Sequence, residues 1–262
     1  RIASLTGSYG GGMPFTPAHI AAVLPLRHGR ARALPFAALA AGSMSPDVPY
    51  YVPAMASLGS WTHTLPGVLT VDVVLGLALW ALWRSVARPL HDLAPTFLRT
   101  RWTPARAVLR WWSVGLALAI GAATHVGWDE FTHPGRFGAT HLAFLAAPYP
   151  SPLGPLPGYQ YAQYLSSAIG LLAIAWVAYR HPRIAVSDRP APTIARLLPW
   201  LAVAAGALGA VARVATAGGP GIGGRAMVFA VLTGGMAAAG ATVAVTCWAH
   251  ALASRGSAWQ PE

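Results

Sequence analysis

The sequence contains no lysine, a single cysteine and only seven acidic residues among its 262 positions. Each scarcity excludes something. The lone cysteine, Cys247, lies in an apolar stretch, where it reads as a small buried hydrophobe; it rules out an internal disulfide and a cysteine-cluster metal site. Charged residues make up 10% of the chain, whereas water-soluble domains carry about 25%, so lipid rather than water is the expected solvent. All 18 basic residues are arginine and the formal charge is +11. They gather in connecting segments between apolar runs, which argues for loop topology at anionic headgroups rather than a nucleic-acid surface.

What is abundant is apolar sequence, at 55% of residues. Five stretches are long enough to cross hydrocarbon: Leu65–Trp83, Ala107–Thr124, Tyr161–Tyr179, Ile194–Val211 and Ala226–Leu252. Pro17–Leu26 and Leu34–Met44 are shorter and read as half-helices, a re-entrant pair, or helices buried by their neighbours. The expected fold is all-α, a polytopic transmembrane bundle of roughly six or seven helices, forming a single domain over residues 13–255 between a Gly/Ser-flavoured leader (1–12) and a tail (256–262). Arginine clusters at 27–32, 84–110 and 180–196 mark cytoplasmic loops, so the C-terminus is expected in the cytoplasm of a multi-pass cell-membrane protein. Arg136, Arg213 and Arg225 run against that majority.

The opposite face then collects the segments with chemistry. "GSMSPDVPYY" brings Asp47, "WTHTLPG" brings His63, and "THVGWDEFTH" brings His125, Asp129, Glu130 and His133. In a helix that persists to Pro134, His125, Asp129 and His133 share one side. Imidazoles and carboxylates converging from different segments suit a divalent metal, zinc first, with manganese, iron or magnesium as alternatives. His19, in "TPAHIAAVLPL", is a further candidate ligand. Asp72, in "LTVDVVLGLALW", is the one acid well inside an expected span and reads either as a partner orienting a ligand histidine or as a helix–helix hydrogen bond. Glu130 points about 100° from Asp129 and is either a general base or a solvent-facing acid. Arg136, in "HPGRFG", is either an anion clamp or a solvated loop arginine. His141 is a weaker candidate, and the tryptophans near span ends read as an aromatic belt. The Pro/Gly-rich run 148–158 cannot be helical and reads as a loop or lid; "AGGPGIGG" at 217–224 lacks the features of a phosphate cradle.

The blocks "MPFTPAHIAAVLPL", "GSMSPDVPYY", "HTLPG" with Asp72, and "HVGWDEFTH" resemble a bacterial membrane family catalogued as domain of unknown function 4184, over about residues 13–140. That family is in turn distantly similar to membrane-bound metal-dependent hydrolases. The likeness implies equivalent roles for His19, Pro46–Asp47, Thr62–His63, and His125 with Asp129. Here "PDVPYY" stands where those proteins place further Asp and His, which puts a two-metal site in doubt.

The reading is therefore an integral-membrane metal-dependent hydrolase acting on an amphipathic ester or phosphoester, such as a lipid or isoprenoid diphosphate, with Glu130, Asp129 and Arg136 as candidate catalytic groups. Membrane lipid is the expected partner. The alternatives are a metal-dependent prenyl-diphosphate cyclase or transferase, and a non-catalytic transporter or scaffold.

Overall fold

A computed structural model describes residues 15–28, 33–104, 110–152, 154–186 and 192–256. The leader at 1–12 and the tail beyond 256 lie outside the described residues. The described residues are almost wholly helical, as expected; their one sheet is a two-stranded antiparallel pairing of β1 (Pro148–Tyr149) with β2 (Leu156–Pro157). Among the described residues six helices are longer than eight residues: α1 (Phe36–Met44), α2 (Val71–Leu93), α3 (Trp111–Thr132), α4 (Gly158–Arg180), α5 (Thr193–Ala217) and α6 (Gly224–Gly256).

Four helices, α2, α4, α5 and α6, are long and apolar enough to cross a membrane. The expected span at 107–124 behaves differently. Residues 107–109 lie outside the described set, and the helix runs from Trp111 on to Thr132, taking in His125, Asp129 and Glu130. Those polar positions dilute its apolarity, so α3 is not among the four. The expected Leu65–Trp83 span is also redrawn. A short helix, Leu65–Leu69, starts on the Thr64 side chain, which accepts a hydrogen bond from Gly67 N at 3.1 Å, and the backbone breaks at Thr70 before α2 begins. Asp72 thus sits in the first turn of α2 and not well inside a span.

The described residues fall into two compact units. The first takes those up to Trp80, those from 110 to Val177, and Gly223–Phe229. Its core is α1 against α3, with Val23, Ala38, Leu39, Ala41, Val114, Ala117 and Leu118 buried. The two short N-terminal segments are both helical and pack in this unit, with Val23 of the first and Ala38, Leu39 and Ala41 of the second in its core. α1 is apolar along most of its length, and Ala38, Leu39, Ala41, Gly42 and Ser43 are its buried residues. Residues 16–27 form successive short turns, Thr16–His19, Ile20–Val23 and Leu24–Arg27. The second unit takes the described residues of 81–108, of 178–222 and from Ala230 onward. Val86, Leu93, Leu198, Ala244 and Cys247 are its buried core. Cys247 is fully buried, as its apolar setting implies.

Candidate metal centre

Glycines bring α1 and α3 together. A Cβ on Gly42 would collide with the Leu118 carbonyl of α3, and one on Gly121 would collide with the Leu39 carbonyl of α1. α1 then stops because Pro46 has no N–H with which to continue it; the Gly42 carbonyl is met by the Ser45 Oγ, which donates at 2.8 Å. One helical turn beyond Gly121, His125 Nδ1 lies 2.8 Å from the Ser43 carbonyl. A carbonyl only accepts, so Nδ1 carries the proton and the lone pair of Nε2 points the other way.

In that direction lie two carboxylates. His125 Nε2 is 3.5 Å from Asp47 Oδ1 and 3.3 Å from Asp129 Oδ2. His63 Nε2 faces the same pair, 3.7 Å from Asp47 Oδ1 and 3.4 Å from Asp129 Oδ2. His19 Nε2 is 3.7 Å from Asp129 Oδ1, and its ring stacks on that of His125 with centroids 3.8 Å apart. All five side chains are buried. They arrive from separate pieces of chain: His19 ends the turn Thr16–His19, Asp47 ends Ser45–Asp47, His63 follows Gly59–Thr62, and His125 and Asp129 are one turn apart on α3.

Two overlapping groups could hold a metal ion: His19, Asp47 and His125, and His63, His125 and Asp129. His125 belongs to both but has one free nitrogen, since Nδ1 is committed to Ser43. One ion at a time can therefore take His125 Nε2, whichever group it uses. The donor chemistry fits such an ion. His125 Nε2 and both ring nitrogens of His19 are buried without a hydrogen-bond partner, a state that costs about 1–3 kcal/mol per group, more where charge is involved. Two buried carboxylates need two positive charges nearby, and one divalent cation supplies both while leaving the rings neutral. Three imidazoles among five donors favour zinc, manganese or iron over magnesium.

A surrounding layer orients these donors. Thr16 donates its hydroxyl to Asp47 Oδ2 at 2.5 Å, and Tyr51 donates to Thr16 at 2.8 Å. Thr62 Oγ1 lies 3.0 Å from His63 Nδ1. Burial pushes the His19 ring down to about 3, and the His125 ring stacked on it acts in the same direction. At Asp47 burial acts to raise the carboxyl, but the adjacent His125 and His63 outweigh it and hold the group well below the usual carboxylate range. His63 is lowered by burial and raised more strongly by Asp129 and Asp47, ending above the ordinary imidazole value.

The remaining candidates fall around this centre rather than in it. α3 ends at Thr132, because the residue before Pro134 is driven into extended backbone. His133 therefore leaves the helix and lies in neither metal-capable group, yet its Nδ1 reaches Asp129 Oδ1 at 3.2 Å while its Nε2 is 3.4 Å from Gln163 Nε2. Asp72 is fully buried and neither carboxylate oxygen has a hydrogen-bond partner, so the helix–helix bond read as one of its two roles is not made. Glu130 accepts from Arg136 Nη1 at 3.3 Å and from the Phe137 amide at 2.9 Å. Arg136 also donates to the His63 carbonyl at 3.0 Å. These two are thus engaged in fastening the loop after α3, the acid in a cap and the arginine to the backbone of a metal-centre histidine. His141 is exposed, with Nδ1 2.9 Å from the Phe137 carbonyl.

The residues not found in the sequence are those that orient the donors: Thr16, Ser43, Tyr51 and Gln163. Thr16 could have been noticed three positions before His19 in "TPAH". Ser43 acts through its carbonyl, which no side-chain pattern encodes. Gln160 and Gln163, both fully buried, are further polar side chains that the sequence reading did not single out.

Residues 13–250 match the family described as Domain of unknown function (DUF4184). The chain belongs to that family. The match extends well past the blocks at 13–140, so the later helices share more with the DUF4184 family than hydropathy alone. No curated protein and no solved structure matches the chain.

Proposed function

We propose that this DUF4184 protein is an integral-membrane hydrolase with a single divalent ion, zinc first, held by His19, Asp47, His63, His125 and Asp129. The observation that carries the reading is His125: its Nδ1 is tied to the Ser43 carbonyl at 2.8 Å, leaving a partnerless Nε2 aimed at two buried carboxylates. That lone pair and those anions repel one another unless a proton or a metal cation lies between them, and a divalent cation would serve several of these donors at once. Such an ion would supply Lewis acidity toward an ester or phosphoester oxygen and a water acidic enough to attack near neutral pH. The protein's own part is to hold the donors fixed, through Thr16 on Asp47, Thr62 on His63 and Ser43 on His125, and to exclude bulk water.

A membrane setting, supported by four apolar helices, makes an amphipathic ester or phosphoester the substrate class, such as a lipid or isoprenoid diphosphate. The arginine clusters support a cytoplasmic C-terminus in the cell membrane. A transporter would carry ionisable groups through the membrane depth, whereas the sequences of α4, α5 and α6 contain no acidic residue. The test is hydrolysis of a panel of lipid phosphoesters and carboxylic esters by purified protein in detergent. Activity that disappears on chelation, returns with zinc and is absent from Asp129→Ala is expected; chelator-insensitive turnover, or none on any member of the panel, contradicts the proposal.

A further inference from the structure

We infer that a groove beside α3 seats the single hydrocarbon chain of the amphiphile whose head reaches the metal centre, an assignment that rests on the proposed function. The groove encloses about 570 Å³ and its walls include Ala22, Thr124, Gly127, Trp128, Phe131 and Ala162, within the roughly 300–1,000 Å³ typical of small-molecule sites. Thr124, Gly127, Trp128 and Phe131 recur at i, i+3, i+4 and i+7, so they form one stripe on α3. The stripe spans about 10 Å along the axis and flanks the face that carries His125 and Asp129. Polarity rises at one border. Thr132 lines the groove, its Oγ1 is 3.3 Å from His133 Nδ1, and the same nitrogen is 3.2 Å from Asp129 Oδ1. An apolar channel that ends two short polar contacts from the metal donors matches a molecule with an apolar chain and a reactive polar head. On the far wall Trp128 Nε1 donates to Ser166 Oγ at 3.2 Å, which holds the indole as a fixed side of the channel.

Gly127 lies on the floor of the groove, where a Cβ would meet nothing within 4 Å. A larger side chain at this position would project into the open space and fill part of it. The occupant is one linear acyl or prenyl chain, since the groove is lined by apolar surface that runs along the helix toward the polar border at Thr132.

The experiment uses the full metal-loaded chain in detergent and a decyl phosphate carrying a diazirine at the end of its chain, with crosslinks mapped by mass spectrometry. Labelling is expected on residues 124–131 of α3 or 162–166 of α4, and Gly127→Leu is expected to reduce it at least tenfold with metal content unchanged. Undiminished labelling in Gly127→Leu, or crosslinks confined to other segments, overturns the assignment. If Gly127→Leu fails to fold, Ala162→Leu narrows the groove from the facing helix and is judged by the same criterion. Metal content separates the two proposals: a groove labelled as expected in a protein that never binds metal would sink the metal reading and leave the chain-binding groove standing.

Discussion

The two units of this protein use the same packing device for different ends. In the second unit, a Cβ on Gly209 would collide with the Gly234 carbonyl and one on Gly234 with the Gly209 carbonyl, so α5 and α6 approach closely through glycine. Nothing chemical follows there: the core is Val86, Leu93, Leu198, Ala244 and Cys247, and among the described residues the unit's one acid, Asp92, is exposed. In the first unit Gly42 and Gly121 bring α1 and α3 equally close, and the contact delivers the Ser43 carbonyl to His125 and Asp47 to the ligand face of α3. Close helix approach is thus a means. What makes a site is the set of donors that the approach aligns, and a buried histidine whose tautomer it dictates.

That contrast can be broken by substitution. Gly121→Leu should separate α1 from α3, destabilise the protein by more than the ~1–3 kcal/mol usual for overpacking, and abolish metal binding. Gly209→Leu should destabilise similarly yet leave metal affinity within a factor of three in the folded fraction. Thermal unfolding with and without added zinc reads both; a zinc-dependent rise in melting temperature should survive only in the second. If the two variants lose metal alike, the glycine contact in the second unit is not the inert one described here.

Smaller effects sharpen the picture inside the first unit. Thr16→Val and Thr62→Val each remove a hydroxyl that orients a donor and should weaken zinc binding about 10–100-fold, measured by competition with a chromophoric chelator. Unchanged affinity would show that Asp47 and His63 need no such support. Glu130→Gln should be the mildest change. Its pairing with Arg136 lies at the rim, where ion pairs contribute about 0–1 kcal/mol, so zinc affinity and hydrolysis should stay within threefold. A loss beyond 100-fold in turnover alone would restore Glu130 as the general base.

Much of the donor set was legible in the sequence because its members are rare: in a chain with seven acids and nine histidines, Asp47, His63, His125 and Asp129 stand out against an apolar background. Their convergence followed from topology. Helix ends were less legible. His133 fits the i+4 rule from Asp129, yet Pro134 unwinds the backbone at that residue and moves its ring outside both metal-capable groups. Asp72 looked embedded in a span because Leu65–Trp83 is continuous in hydropathy, whereas the break at Thr70 makes it a first-turn residue. Ser43, the residue that decides the tautomer of His125, contributes only backbone, which composition and spacing cannot signal. The glutamines 160 and 163 were overlooked because they open a helix whose later residues are apolar enough to keep its average hydropathy high; of the two, Gln163 Nε2 comes within 3.4 Å of His133 Nε2.

The most direct measurement is the metal content of the purified protein by elemental mass spectrometry, beside His125→Ala. The account predicts about one divalent ion per chain in the parent, as the single shared Nε2 of His125 requires, and less than about a tenth of that in the variant. A parent devoid of metal, or a variant that retains its full complement, would contradict it.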